Sequence, residues 1–168
     1  ALAALARTSF VAAYGHLTDP DNLAAHLARE YGDAIQAAQL ADPTISVWVA
    51  EAETVLCAFA QMRRRRPPPP ALHGRRGIEL WRFYCAPDWV GRGVAGPLMQ
   101  RVLDAARGEG AEAVWLSVYR HAPRAIAFYR KHGFEIVGET TYRYGSKDFP
   151  DWWMAVELCT PTPAPQRD

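Results

Sequence analysis

The sequence predicts a single mixed α/β domain, with a central, mostly antiparallel sheet that includes one parallel strand pair and is flanked by helices. Three observations carry this. Ile78 to Cys85 is an apolar run, Val90 to Gly96 is glycine-rich, and the residues that follow repeat apolar side chains at helical spacing, so the segment reads strand, loop, helix. A second apolar run, Ala113 to Val118, comes after that helix, and a helix joining two strands makes them parallel with a right-handed crossover. Elsewhere, apolar runs separated by short polar turns read as antiparallel hairpins.

The chain has 168 residues, 22% of them charged, and a formal net charge of +1. Such a length buries roughly 70% of the unfolded surface without a disulfide framework or a metal, and neither metal nor nucleic acid nor membrane is expected as a partner. The expected partner is a small molecule, and a homodimer is left open. Cys57, Cys85 and Cys159 are odd in number and widely spaced, which fits reduced thiols in a cytoplasmic protein. Cys85 reads as a strand-end thiol, because no histidine follows closely to activate it. No run approaches a membrane span and no signal peptide is visible, and a chain starting at Ala1 rather than Met is expected of a trimmed or partial N-terminus.

Leu2, Leu5, Phe10, Val11 and Tyr14 form the apolar face of a first helix that ends at Gly15. Asp19-Pro20 supplies a cap and a first-turn proline for a second helix, which Leu23, Leu27, Tyr31 and Ile35 carry to about Leu40. Ile45–Ala50 and Val55–Ala60 read as a hairpin. From Arg63 onward, four arginines and four prolines predict a solvated loop, since consecutive prolines forbid ladder pairing. That loop enters the Ile78 strand about eight residues, roughly 26 Å, from the glycine loop at its other end, which argues against a phosphate role for its arginines.

Leu98, Met99, Val102, Leu103 and Ala106 make one face of the helix after the glycines, and Gly108 to Gly110 stop it. Arg124 to His132 is a further helix ended by Gly133 with Phe134 beyond. Glu135 to Leu158 reads as a long hairpin, running out through Tyr144-Gly145, turning through Ser146 to Asp151 and returning from Trp152. The domain thus spans residues 1–159, and proline-rich 160–168 is expected to be a disordered tail.

The glycine loop suits an anion, because amides at a helix start turn toward one guest and the helix dipole favours negative charge. A nucleotide P-loop is excluded, since no Lys-Ser/Thr follows the glycines. Gly91, Gly93 and Gly96 satisfy the dinucleotide GxGxxG, but Pro87 to Trp89 separate them from the strand and the next strand ends in Val118-Tyr119-Arg120 with no ribose-binding acid. Val90-Gly91-Arg92-Gly93-Val94-Ala95 instead resembles the Q/R-x-x-G-x-G/A signature of the GNAT superfamily of acetyl-CoA-dependent N-acetyltransferases, with Val90 in place of the usual Gln or Arg. Arg124-Ala125-Ile126-Ala127-Phe128-Tyr129 to Phe134 strongly resembles the RAIAFYxxxGF block of the same family, and Ala122 stands where many members have Asn. The two blocks cover about Ile78 to Val137. Glu79 to Tyr84, with Tyr142 to Asp148, Asp151 and Met154, is similar to PaiA-like polyamine acetyltransferases.

The resemblance implies a GNAT fold whose parallel pair splays apart, with the cofactor arm between Phe83-Tyr84-Cys85 and Ser117-Val118-Tyr119. It implies acetyl-CoA as acyl donor, held by Phe83, Tyr84, Cys85, Val90, Gly91, Arg92, Gly93, Val94, Ala95, Gly96, Ala122, Ala125 and Phe128. Family members also carry a strand ahead of the first two helices, and none is visible here. The implied acceptor is a small-molecule primary amine, with a polyamine as one form. The rivals are a protein amine and a non-catalytic CoA-binding sensor. An alkylamine needs about 4.6 kcal/mol to lose its proton at pH 7, so a base must help. Glu79, assigned the pleat parity of Trp81 and Phe83, is the candidate base, alongside a salt bridge to Arg82 or another basic residue. Tyr129 matches the tyrosine that the family uses as general acid; on periodicity alone it reads as a core aromatic of an amphipathic helix. The acceptor pocket is expected among Tyr14, His16, Glu30, Tyr31, Trp81, Trp152 and Trp153, where aromatics and carboxylates suit a cation.

Overall fold

The first 41 residues form three helices, α1 (Leu2–Tyr14), α2 (Pro20–Tyr31) and α3 (Asp33–Ala41), in a computed structural model that describes residues 1–158. The expected tail at 160–168 and Cys159 lie outside the described residues. The Asp19 carboxylate caps α2 by accepting the Asn22 amide at 2.9 Å, with Pro20 in the first turn. The single helix expected to Leu40 is instead two. Gly32 is extended, at φ −68° and ψ 154°, and this break turns α3 so that Gln36 and Gln39 reach the polar cluster around Arg82.

Six strands follow, β1 (Ile45–Ala52), β2 (Val55–Arg63), β3 (Gly77–Cys85), β4 (Ala113–Tyr119), β5 (Glu135–Tyr144) and β6 (Lys147–Glu157), in the order β1-β2-β3-β4-β6-β5. Helices α4 (Ala95–Gly108) and α5 (Pro123–Lys131) flank β4 in sequence. Among the described residues only β3 and β4 pair in parallel. Glu53 and Thr54 turn the first hairpin with positive φ, and β2 runs three residues past its expected end, to Arg63. That extension corrects the reading of the arginine run as solvated for Arg63 and Arg64, while Arg65 and Arg66 are exposed. Arg63 pairs with Glu79, and Arg64 pairs with Glu109 and donates to Ser46 Oγ at 2.8 Å.

The β3–β4 ladder is short: Gly77, Ile78 and Glu79 pair with Ala113, Val114 and Trp115, and there the pairing ends. β4 stays paired with β6 to Tyr119↔Asp151, while β3 stays paired with β2 to Cys85↔Ala58. The two central strands therefore diverge. A bulge lies beside the divergence, because Met62 faces Leu80 while Gln61 faces Arg82, leaving Trp81 as an extra residue. The bulge also resets the alternation. Ile78, Leu80, Phe83 and Cys85 face the α4 core, whereas Glu79, Arg82 and Tyr84 face the α1–α3 side, so Glu79 and Phe83 do not share a face as expected.

On the α4 side, Leu98, Met99, Val102, Leu103 and Ala106 bury the predicted helix face against Val114, Leu116, Met154 and Val156. On the other side, Phe10 of α1 meets Tyr31, Phe59 and Tyr144. Gly133, at φ +85°, ends the α5 turn and delivers Phe134 to the α4 core at 1% exposure. The β5–β6 turn is held by α2: Asn22 donates to the Tyr144 carbonyl at 3.1 Å and accepts the Ser146 amide at 2.8 Å.

Gly145 sits at φ +60°, and a Cβ there would come within 1.8 Å of the Asn22 side chain. Gly145→Ala combines left-handed strain with loss of both Asn22 bonds, so it should destabilise the protein by about 3 kcal/mol in chemical denaturation.

Candidate active site

The divergence of β3 and β4 opens into a cleft of about 890 Å³. Phe83, Tyr84 and Cys85 form one wall, and Ser117 and Val118 the other. With the ladder ended at Glu79 and Trp115, the facing backbone amides and carbonyls are left to other partners, and an inserted amide-bearing chain would suit them. Ala122, Ala125, Phe128 and Tyr129 line the cleft from α5 and its start, with the Phe128 ring 5.3 Å from that of Phe83. The Cys85 thiol is half-buried and pushed up by that burial, so it is not a ready nucleophile.

Val90, Gly91, Gly93, Ala95 and Gly96 line the same cleft. Gly91 and Gly93 adopt φ of +85° and +82°, which only glycine enters without strain, and a Cβ on Gly93 or Gly96 would meet nothing within 4 Å. The loop backbone thus faces open space ahead of the first turn of α4, where free amides and the helix dipole favour an anion. Sequence reasoning missed Arg124, whose guanidinium lies 3.7 Å from the Cβ position of Gly91 and adds a full positive charge. Two side chains of the loop pack elsewhere: the Arg92 guanidinium lies over the Trp89 ring at 5.5 Å, and the Val94 side chain packs on the α4 core.

A second cavity, of about 140 Å³, adjoins the cleft on the α1 side, and Tyr14, Trp81, Arg82, Tyr84 and Ser117 line both. Its remaining walls are mostly aromatic, with Phe10, Tyr31, Tyr119, Tyr142, Tyr144 and Phe149. Of the residues expected here, Tyr14, Tyr31 and Trp81 take part. His16, Glu30, Trp152 and Trp153 do not line it: Glu30 pairs with Arg82 at 3.1 Å, Trp152 stacks with Arg120 at 4.0 Å, and Trp153 packs against the Leu72 cluster.

Three carboxylates lie in or beside this cavity, and two are neutralised. Glu79 has both oxygens on Arg63, one at 3.1 Å from Nη2, with Arg66 3.9 Å away; the salt bridge weighed from the sequence exists, with Arg63 as partner. Glu30 is paired with Arg82, whose guanidinium is sandwiched between Trp81 and Tyr31 at 3.8 and 4.5 Å. Asp151 is different. Its carboxylate is 5% exposed and receives its hydrogen bond from the Ser117 hydroxyl, while Arg120 donates to its backbone carbonyl and pairs with Glu139. Burial raises its pKa from 3.8 to about 6, against the smaller pulls of Ser117 and Arg120. On the sequence Asp151 falls at the end of the hairpin turn, whereas β6 already begins at Lys147 and carries Asp151 in the sheet between Tyr119 and Thr140.

Residues 8–134 match the Acetyltransferase (GNAT) family. The chain belongs to the GNAT family. It is 32% identical to an uncharacterized N-acetyltransferase of Mycobacterium tuberculosis over 157 residues, covering 94% of this chain and 96% of that one. Its fold is similar to that of a PaiA N-acetyltransferase from Thermoplasma acidophilum solved in complex with coenzyme A, with a TM-score of 0.74 at 17% identity over 94% and 91% of the chains. It is also similar to a spermidine N-acetyltransferase SpeG chimera from Vibrio cholerae and hSSAT, with a TM-score of 0.58 at 19% identity over 74% and 72%. As a GNAT acetyltransferase the protein is an acetyl-CoA-dependent acyltransferase. The cleft fits that donor: the loop amides and Arg124 suit a pyrophosphate, and the unpaired strand edges suit an amide-bearing arm.

The GNAT enzyme carries a stability cost at Asp151. Because the folded-state pKa lies above the unfolded value, the protonated form favours the folded state, and that contribution is full below pH 3.8 and lost as pH rises through about 6. Asp151→Asn should therefore gain melting temperature over wild type at pH 8, with the gain shrinking at pH 4; two units set an upper limit of about 3 kcal/mol.

Proposed function

We propose that the enzyme moves the acetyl group of acetyl-CoA to the primary amine of a small molecule. The observation that carries this reading is the 140 Å³ aromatic cavity adjoining the cleft. A cavity of that size takes an aminoalkyl group rather than a folded peptide segment, and the faces of Tyr and Trp rings attract an ammonium. A polyamine is the extended form of this acceptor. The likeness to the spermidine acetyltransferase supports it, and Arg63 and Arg82 restrict it by occupying Glu79 and Glu30.

When bound, acetyl-CoA supplies a thioester carbonyl for the amine and a thiolate leaving group. The backbone at the end of β3 faces the gap and is placed to polarise that carbonyl, while the glycine loop and Arg124 hold the far end of the donor. Tyr129 lines the cleft close to Cys85 and Tyr14, and burial raises its phenol well above the ordinary value. It stays protonated at every working pH, which suits a proton donor to the leaving sulfur, and the same burial makes a thiolate there a stronger base.

A panel of amines with free thiol as the readout tests the function. Turnover of compact alkylamines or spermidine with none on peptide amines is expected. Peptide-only turnover would favour a protein acceptor, and acetyl-CoA binding without any turnover would favour a sensor. Tyr129→Phe keeps the ring against Phe128 and Phe134, so cofactor affinity should hold while kcat falls by about a hundred- to ten-thousandfold. A wild-type rate in that variant would return Tyr129 to the core.

A further inference from the structure

The amine acetylation proposed above needs a group that takes the ammonium proton, and both oxygens of Glu79 are engaged by Arg63. We propose that Asp151, reached through the hydroxyl of Ser117, is the base that deprotonates the acceptor amine. The placement argues for it. Ser117 is an exposed residue of β4 that lines both the donor cleft and the acceptor cavity, so its Oγ stands where the two substrates meet. Asp151 lines the acceptor cavity beside it, on β6 and diagonal to Ser117 in the ladder, largely buried and bonded to that same Oγ.

Groups from every neighbouring element leave this role to Asp151. From β4, Arg120 spends its guanidinium on the Asp151 carbonyl and on Glu139 of β5. From α1 comes Tyr14, a phenol held above its ordinary pKa first by burial and then by the charge of Asp151, so it remains neutral. Tyr119 of β4 is the direct ladder partner of Asp151, and Thr140 of β5 lies on its other side. Arg63 and Arg82 face their own carboxylates across the cavity. The carboxylate of Asp151 is thus left for a cation brought in by substrate.

The step is a proton shift without redox change. The ammonium N–H bond breaks as an O–H bond forms at Ser117 Oγ, and the original Ser117 O–H breaks as one forms on the Asp151 carboxylate. Ser117 is unchanged, the amine keeps its lone pair for attack, and Asp151 returns its proton to solvent after acetyl transfer. A base titrating near pH 6 is ionised at pH 7 and is a stronger acceptor than an ordinary carboxylate.

The test is the pH–rate profile with an amine selected by the panel, for wild type, Asp151→Asn, Ser117→Ala and Glu79→Gln, with acetyl-CoA affinity measured on each. Wild-type kcat/KM should fall on the acid side with an apparent pKa near 6. Asp151→Asn should bind acetyl-CoA normally, lose about a hundred- to ten-thousandfold in rate at pH 7, and lack that limb. Its rate should rise tenfold per pH unit toward the pKa of the free amine. Ser117→Ala should lose less and move the limb to higher pH, since the Ser117 bond lowers the Asp151 pKa. An acid limb that survives in Asp151→Asn, or that vanishes in Glu79→Gln alone, overturns the assignment while leaving amine acetylation standing. Failure of every amine in the panel would overturn both.

Discussion

One short ladder governs this structure. β4 pairs with β6 along its whole length, from Ala113 to Tyr119, but with β3 only as far as Glu79↔Trp115. The extra residue at Trp81 is the local device, since a bulge adds twist and bends the strand that carries it. Backbone groups unpaired in the middle of a sheet are costly unless something else bonds them, so the interruption presupposes a partner of extended, amide-bearing chemistry.

The same bulge divides the chemistry between the two faces. It keeps Phe83 and Cys85 on the side of α4 and α5, where the donor cleft lies, and turns Arg82 and Tyr84 toward the acceptor cavity on the α1 side. There, guanidinium groups neutralise Glu30 and Glu79, and the stacking of Arg82 on Trp81 and Tyr31 fixes the cavity wall. Satisfying a buried Arg in this way favours rigidity over raw stability. Asp151 is the exception, a carboxylate kept dry with a hydroxyl in place of a cation, and groups held against their solvation preference gather where proteins do chemistry.

Much of the architecture was legible because it rests on local signals. The face of α4, the turn at Glu53-Thr54, the Asp19 cap, the stop at Gly133 and the strand–loop–helix junction each follow from spacing or backbone preference within a dozen residues. What misled were places where a distant contact overrode a local rule. Gly32 breaks a helix that apolar spacing would have carried on, because α3 has polar partners on the sheet. Arg63 joins a strand because Glu79 and the Trp81 ring receive it, and Pro150 sits within β6 because the long hairpin holds it there.

Fold class, the order of elements and the glycine loop with its helix follow from the residues alone, since periodicity, caps and breakers act between neighbours in the chain; the resemblance in two of its blocks named the family. Tertiary structure alone decided which carboxylate is free. Glu79 and Asp151 are both acidic residues on strands of one sheet, and nothing in the letters says that Arg63 comes to lie against the first and Ser117 against the second. A one-residue bulge reversed the facing of Phe83 relative to Glu79, and the period of two along a strand makes any such slip invert the whole assignment. Charge pairing and burial are properties of residues brought together from distant positions, and they appear only once the chain has closed on itself.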